Sequence, residues 1–122
     1  MSTSTVQATL AHPARDERSV VLDLIVDTGA TYTLLPAEVV AQLGLATPYQ
    51  RPVVLASGER VTYRVGQVRL KLADEEWTTT FFAGPTGCHA LLGAVTLEQF
   101  GLAADPVHRR LVPVPGLLLH TA

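Results

Sequence analysis

The segment Val20-Val21-Leu22-Asp23-Leu24-Ile25-Val26 is followed directly by Asp27-Thr28-Gly29-Ala30 and then by Thr31-Tyr32-Thr33-Leu34-Leu35. Its first part is an apolar run typical of a β-strand, so Asp27 is expected to end a strand and to be partly withdrawn from water. Gly29 permits a tight turn whose backbone amides can hold the carboxylate. Taken alone, Asp-Thr-Gly favours a structural interpretation, a strand-ending turn with an Asx-type hydrogen bond. Its surroundings favour a chemical role.

Short β-type runs separated by turn residues predict a mainly β body with two short helices. The first helix is expected to open at Pro36 and to end at Gly44, and the second to run from Ala94 to Phe100 before Gly101. The polar stretch from His12 to Arg18 is interpreted as a hairpin loop. The predicted strands cover residues 5–11, 20–26, 31–35, 53–56, 61–72 and 77–83.

The two predicted helices lie in a weak internal repeat. Residues 34–46 align without gaps on residues 91–103, and seven of the thirteen positions are identical. A duplicated strand-then-helix unit around an approximate internal two-fold axis explains this match. Similar helix composition explains part of it.

Length and composition restrict the class of protein. A chain of 122 residues that is 48% hydrophobic suits one domain, residues 1–122, with a core of about residues 5–114. The net charge of -2 and the scattered basic residues argue against a nucleic-acid partner. No apolar run approaches a membrane span and no leader pattern opens the chain, so we expect a cytoplasmic protein with no membrane partner.

The cysteine and the histidines give no sign of a disulfide or a metal site. Cys88, the one cysteine, is expected to pack as a small hydrophobe and cannot form a disulfide within the chain. The four histidines show no spacing typical of metal ligands, so we predict no metal and no organic cofactor. The excess of arginine over lysine suggests a bacterial source.

The chain resembles the retropepsin-like aspartic proteases over roughly residues 5–114. The resemblance lies in the order of the parts: a hairpin, the Asp-Thr-Gly-Ala loop, a short helix, a second hairpin, further strands, the Leu91-Leu92-Gly93 segment, and a last helix followed by a strand. The resemblance implies an all-β, closed barrel-like single lobe. It also implies that Asp27 is the catalytic aspartate, that the Thr28 hydroxyl braces two loops across a dimer axis, and that Gly29 and Ala30 line the active-site floor. Leu91, Leu92 and Gly93 match the second structural motif of that family.

Such an enzyme needs two carboxylates, because one acts as a base on water while the other, protonated, donates a hydrogen bond to the scissile carbonyl. The chain holds one Asp-Thr-Gly and no Asp-Ser-Gly. Before the second repeat copy, with one residue of slip, Pro85 stands where a second aspartate is expected. The resemblance therefore implies a C2 homodimer with the active site on its axis, acting on peptide or protein substrates.

Residues 53–63 predict a hairpin at the place where the family has its flap, with Ala56, Ser57 and Gly58 near the tip. An ordinary surface hairpin fits the local sequence equally well. The hairpin is predicted to be short, which favours slow or selective peptidase activity.

Some residues depart from the viral pattern. Thr31 replaces an acidic residue, and Ala94-Val95 stand where viral enzymes carry Arg-Asn, which implies a different dimer interface. Ala30 replaces the serine common in pepsin-like loops and favours a mildly acidic pH optimum. Two further hypotheses stay open: a non-catalytic protease-like module that binds peptides or mediates dimerisation, and a domain that works only inside a larger assembly.

Overall fold

The computed structural model describes residues 4–121 and confirms a mainly β protein with two short helices. The predicted domain span of 1–122 includes residues 1–3 and 122, which lie outside this range. The elements are β1 Thr5–His12, β2 Arg15–Val26, β3 Thr33–Pro36, α1 Ala37–Leu43, β4 Tyr49–Val54, β5 Arg60–Leu72, β6 Glu75–Gly84, β7 Leu91–Leu92, α2 Ala94–Gln99, β8 Leu102–Asp105 and β9 Arg110–Pro113.

Seven of these strands form one sheet in the order β1-β2-β7-β3-β6-β5-β4. The sheet curls until β1 also pairs with β5 over Thr9–Ala11, which joins six strands in a ring and leaves β4 attached outside it. The ring is less regular than the predicted closed barrel, because β7 contributes only two residues. β8 and β9 form a separate two-stranded sheet.

Two predicted strand starts were wrong by four residues or more. The expected loop from His12 to Arg18 is a turn at residues 13–14, and β2 already begins at Arg15 with a register shift against β1. β4 begins at Tyr49 and not at Val53. Both missed segments are exposed on the sheet surface, so they lack the apolar alternation that marks a half-buried strand.

Both helices end as the sequence indicates. α1 begins directly after Pro36 and stops at Gly44, whose φ of 65° is the left-handed conformation that glycine adopts readily. α2 stops at Gln99, with Gly101 two residues further on at a φ of 66°. Neither helix of the described residues is long and apolar enough to cross a membrane.

The internal repeat corresponds to an approximate two-fold arrangement in the structure. Leu34 of β3 pairs antiparallel with Leu91 of β7, and these two residues open the two repeat copies. On either side, β2 runs parallel to β7 and β6 runs parallel to β3. Each half therefore supplies a strand that enters a loop and a second strand that leads into a helix.

The hydrophobic core fills the inside of the ring and is closed by α1 and α2. Leu24 belongs to this core and has no exposed surface, two residues before the end of β2 at Val26. This burial fixes where β2 emerges from the core. The other side chains without exposed surface include Leu10, Leu35, Val68, Leu70, Phe81 and Leu92.

Gly93, which joins β7 to α2, lies against the backbone of the other half. A Cβ atom at this position would lie 2.5 Å from the carbonyl oxygen of Tyr32 and 2.8 Å from the nitrogen of Thr33. Both atoms belong to the backbone, so a rotamer change cannot relieve the overlap.

We predict that Gly93→Ala lowers the free energy of unfolding by about 3 kcal/mol or more, because the two halves are forced apart. Urea unfolding followed by far-UV circular dichroism measures this. Gly116→Ala is the matched control, since an added Cβ there meets nothing within 4 Å. Equal stability of both variants would show that the close approach at Gly93 is not required.

Candidate active site

Asp27 stands just beyond the end of β2 and is held by its own turn. The Gly29 N–H donates a 3.0 Å hydrogen bond to Oδ1 of the carboxylate. The Ala30 N–H donates to the Asp27 carbonyl at 3.1 Å, and the Asp27 N–H donates to the carbonyl of Leu92 at 3.1 Å. These bonds fix both the backbone and the side chain, and the half-buried carboxylate keeps access to solvent.

The residues that follow Asp27 lie on the surface of the loop. Thr28 and Gly29 are exposed and Ala30 is half-buried. A Cβ atom at Gly29 would lie 3.3 Å from Oδ1 of Asp27, so a side chain at this position would crowd the carboxylate. Within the single chain, the Thr28 side chain therefore faces outward, next to the aspartate.

The second motif lies directly behind this loop. Leu92 supplies the carbonyl that binds the Asp27 N–H, and the first amides of α2 continue the contact. The Ala94 N–H donates to the Ala30 carbonyl at 2.8 Å and the Val95 N–H to the Thr31 carbonyl at 2.9 Å. The structure thus brings together two predicted segments that are distant in sequence.

A buried cluster of three threonines lies below the loop and was not predicted. The hydroxyl of Thr96 lies 2.7 Å from that of Thr33 and 2.9 Å from that of Thr79. Thr33 Oγ1 also accepts a 3.2 Å hydrogen bond from the Gly93 N–H. All three threonines are at most 2% exposed, so the cluster joins β3, β6 and α2 by hydrogen bonds that water cannot replace.

A cleft of about 660 Å³ separates the Asp27 loop from the hairpin formed by β4 and β5. The hairpin is longer than predicted, since pairing extends from Tyr49 opposite Val65 to Val54 opposite Arg60. On the floor the cleft is lined by Asp27, Gly29, Ala30, Thr31, Tyr32, Leu34, Phe82 and Leu91, and on the hairpin side by Arg51, Pro52, Val53, Val54, Leu55, Ala56 and Tyr63.

The predicted tip residues divide into two groups. Ala56 lines the cleft, whereas Ser57 and Gly58 form the turn and do not line it. The turn is closed by the Gly58 N–H on the Leu55 carbonyl at 2.8 Å, and Gly58 has a φ of 88°. Gly58 therefore has a conformational role.

Sequence reasoning missed an aromatic pair and an arginine in the cleft wall. The rings of Tyr32 and Phe82 stack with centroids 4.8 Å apart. The guanidinium carbon of Arg51 lies 5.8 Å from the centre of the Tyr32 ring. Tyr32 could have been found from its place just after the Asp27 loop, but nothing in the polar segment around Arg51 marks it as part of a site.

In the second half of the chain, the position equivalent to Asp27 is not acidic. Asp27 and Gly84 precede the paired residues Leu34 and Leu91 by the same number of positions, so Gly84 is the equivalent residue and the predicted slip to Pro85 was wrong. Cys88 in that loop is half-buried. Burial and the nearby Glu38 carboxylate raise the pKa of its thiol, which disfavours the reactive thiolate.

The site thus presents an aspartate on a strand-ending turn, and this aspartate faces a cleft bordered by the β4–β5 hairpin. The chain belongs to the aspartyl protease family, because the model of the family described as "Aspartyl protease" matches residues 14–106. No curated protein matches the chain.

Among solved structures, the chain is similar to the EIAV protease complexed with the inhibitor HBY-793. The TM-score is 0.61 with 18% sequence identity, over 82% of this chain and 89% of that chain. At this identity the likeness establishes the fold. The predicted membership among the retropepsin-like aspartic proteases is confirmed.

We predict that Thr96→Val, which keeps the side-chain shape, lowers the free energy of unfolding by about 1–3 kcal/mol, because it leaves two buried hydroxyls without this partner. Thermal or urea unfolding at one fixed protein concentration measures the change. Thr78→Val, on the exposed face of β6, is the control and should have little effect. If both variants lose equal stability, the cluster is not what joins β3, β6 and α2.

Proposed function

We propose that the chain is one half of a homodimeric aspartic endopeptidase in which each subunit contributes Asp27. One observation carries the proposal: among the described residues that line the cleft, Asp27 is the sole acid. A second carboxylate for the reaction must therefore come from a second copy. In this proposal the whole chain, residues 1–122, forms one protease domain.

The proposed chemistry follows from pairing the two aspartates. Two carboxylates about 3 Å apart cannot easily both ionise, so they share one proton and titrate as a pair. The ionised carboxylate takes a proton from a water molecule, and the protonated one donates a hydrogen bond to the scissile carbonyl. Attack of that water on the carbonyl carbon gives a tetrahedral intermediate, and the C–N bond breaks as the proton taken from the water passes to the leaving nitrogen.

The exposed face of the Asp27 loop supports pairing across a two-fold axis. A C2 axis beside Asp27 places identical residues opposite each other, so the outward Thr28 of each copy meets the loop of its partner. In this proposal Thr28 braces the two loops, while Gly29 and Ala30 form the floor. The bonds from Ala94 and Val95 keep each loop in shape before the copies meet.

The cleft itself supports a peptide or protein substrate. Its walls are largely apolar, with Leu34, Leu91 and Phe82 facing Val53 and Val54. Such walls suit an extended peptide with apolar side chains near the cleaved bond. We propose that the β4–β5 hairpin acts as the flap, with Ala56 toward the substrate, and that Leu91, Leu92 and Gly93 support the catalytic loop.

We predict that Asp27→Asn abolishes cleavage of an unfolded protein substrate across about pH 3–7, because the amide cannot accept the proton of the attacking water. Pepstatin should inhibit the wild-type protein. Asp23→Asn is the matched control, since Asp23 lies exposed on β2, four residues before Asp27, and does not line the cleft. Equal cleavage by the Asp27 variant would contradict the proposed role.

Mixing the two proteins tests whether the site is shared. With random pairing, a tenfold excess of the Asp27→Asn protein should reduce the activity of a fixed amount of wild type to about one-tenth. A site complete within one chain would leave the activity unchanged. If the wild-type protein binds peptides but never cleaves them, the non-catalytic module replaces the endopeptidase.

A further inference from the structure

Arg51 is the one cationic side chain among the described residues that line the cleft. It lies on β4, opposite Tyr63 of β5, in the wall of the hairpin. Its guanidinium reaches across to the floor, where Nη1 lies 3.4 Å from the Tyr32 hydroxyl and Cζ lies 5.8 Å from the ring centre. Arg51 therefore connects the two sides of the cleft.

The surface on which the guanidinium rests is itself fixed. Tyr32 stacks on Phe82 with an interplanar angle of 22°, and Phe82 is 3% exposed. An arginine placed on an aromatic ring is held by the cation–π interaction and loses less conformational freedom when it binds a ligand. The charge is thus preorganised at one place in the cleft.

Within residues 4–121, no acidic side chain forms an ion pair with Arg51. Arg69 pairs with Asp16 and Glu76, and Arg110 lies 3.9 Å from Asp105. Arg51 forms no such ion pair, and its contact with the neutral Tyr32 hydroxyl is long for a hydrogen bond. The remaining N–H groups of the guanidinium stay free for the planar, two-point contact that a carboxylate makes.

From these observations we infer that Arg51 is a specificity-determining residue that binds an acidic side chain of the peptide substrate. The inference rests on the proposed peptidase function. The cleft then prefers a peptide that combines apolar side chains with one glutamate or aspartate at a defined distance from the cleaved bond.

The test starts from a peptide that the wild-type protein cleaves. Glu and Gln are placed in turn at each position on both sides of the bond, and kcat and KM are measured at about pH 5.5, where a peptide glutamate is ionised. At one position, Glu should be preferred over Gln by roughly tenfold in kcat/KM, as expected for a charge-assisted contact. The preference should appear mainly in KM, because the contact forms equally in the ground state and the transition state.

Arg51→Gln should remove this preference, and Arg51→Glu should reverse it in favour of a lysine at the same position. Arg15→Gln, which makes the same change in charge outside the cleft, should keep it. Raising the salt concentration should also reduce the preference of the wild-type protein.

A wild-type protein that cleaves the Glu and Gln peptides equally at every position would overturn the inference and leave the peptidase intact. Arg51→Gln would overturn it too if both peptides lost the same factor, since that is the effect of a purely structural arginine. If no peptide is cleaved, the peptidase proposal fails separately. Fluorescence anisotropy then compares binding of the same peptides to the Asp27→Asn protein, where equal affinity for Glu and Gln would reject the role of Arg51.

Discussion

The rest of the structure depends on the close approach of the two duplicated halves at Leu34 and Leu91. Next to this pair, Gly93 lies so near the backbone of Tyr32 and Thr33 that a side chain does not fit. This approach lets Leu92 accept the Asp27 N–H and lets α2 bind the carbonyls of the Asp27 loop. If the two halves lay further apart, all of these hydrogen bonds would be lost at once. The close packing at Gly93 therefore determines the position of the Asp27 carboxylate.

The ring of strands holds this junction in place and also positions the hairpin above it. β5 pairs with β4, β6 and β1, so one long strand joins the hairpin to the core and closes the ring. The threonine cluster ties β3, β6 and α2 from inside. The floor and the hairpin side of the cleft are therefore parts of the same hydrogen-bonded sheet. β5 still pairs with β6 at Arg64, so the hairpin extends beyond β6 only from Arg51 and Tyr63 to its tip.

Sequence patterns predicted the parts of the fold that obey local rules. The apolar run before Asp27, Pro36 before α1 and Gly44 after it were each recognisable from residue type, and the repeat predicted the two-fold arrangement. The missed parts depend on partners distant in the chain. The exposed strand at Tyr49 carries no apolar alternation. Arg51, Phe82 and Thr96 become members of the site only because folding places them against Tyr32 and Thr33.

The two halves of the chain have the same arrangement of strands and helix, but equivalent positions carry side chains of different chemistry. The aligned positions 38 and 95 each hold the loop of the opposite half: Val95 through its backbone N–H, and Glu38 through both carboxylate oxygens, which accept the Gly87 N–H at 3.0 and 3.1 Å. The loop after β6 is thus held by Glu38 of α1, and Gly84 at the end of β6 takes the place that Asp27 has just after β2. Glu38 uses both of its carboxylate oxygens on this amide and does not line the cleft, whereas Asp27 uses only Oδ1 on Gly29 and faces the cleft. Among residues 4–121 the second half therefore repeats the scaffold of the first without repeating its aspartate, which is the physical reason that the proposed peptidase needs a second copy.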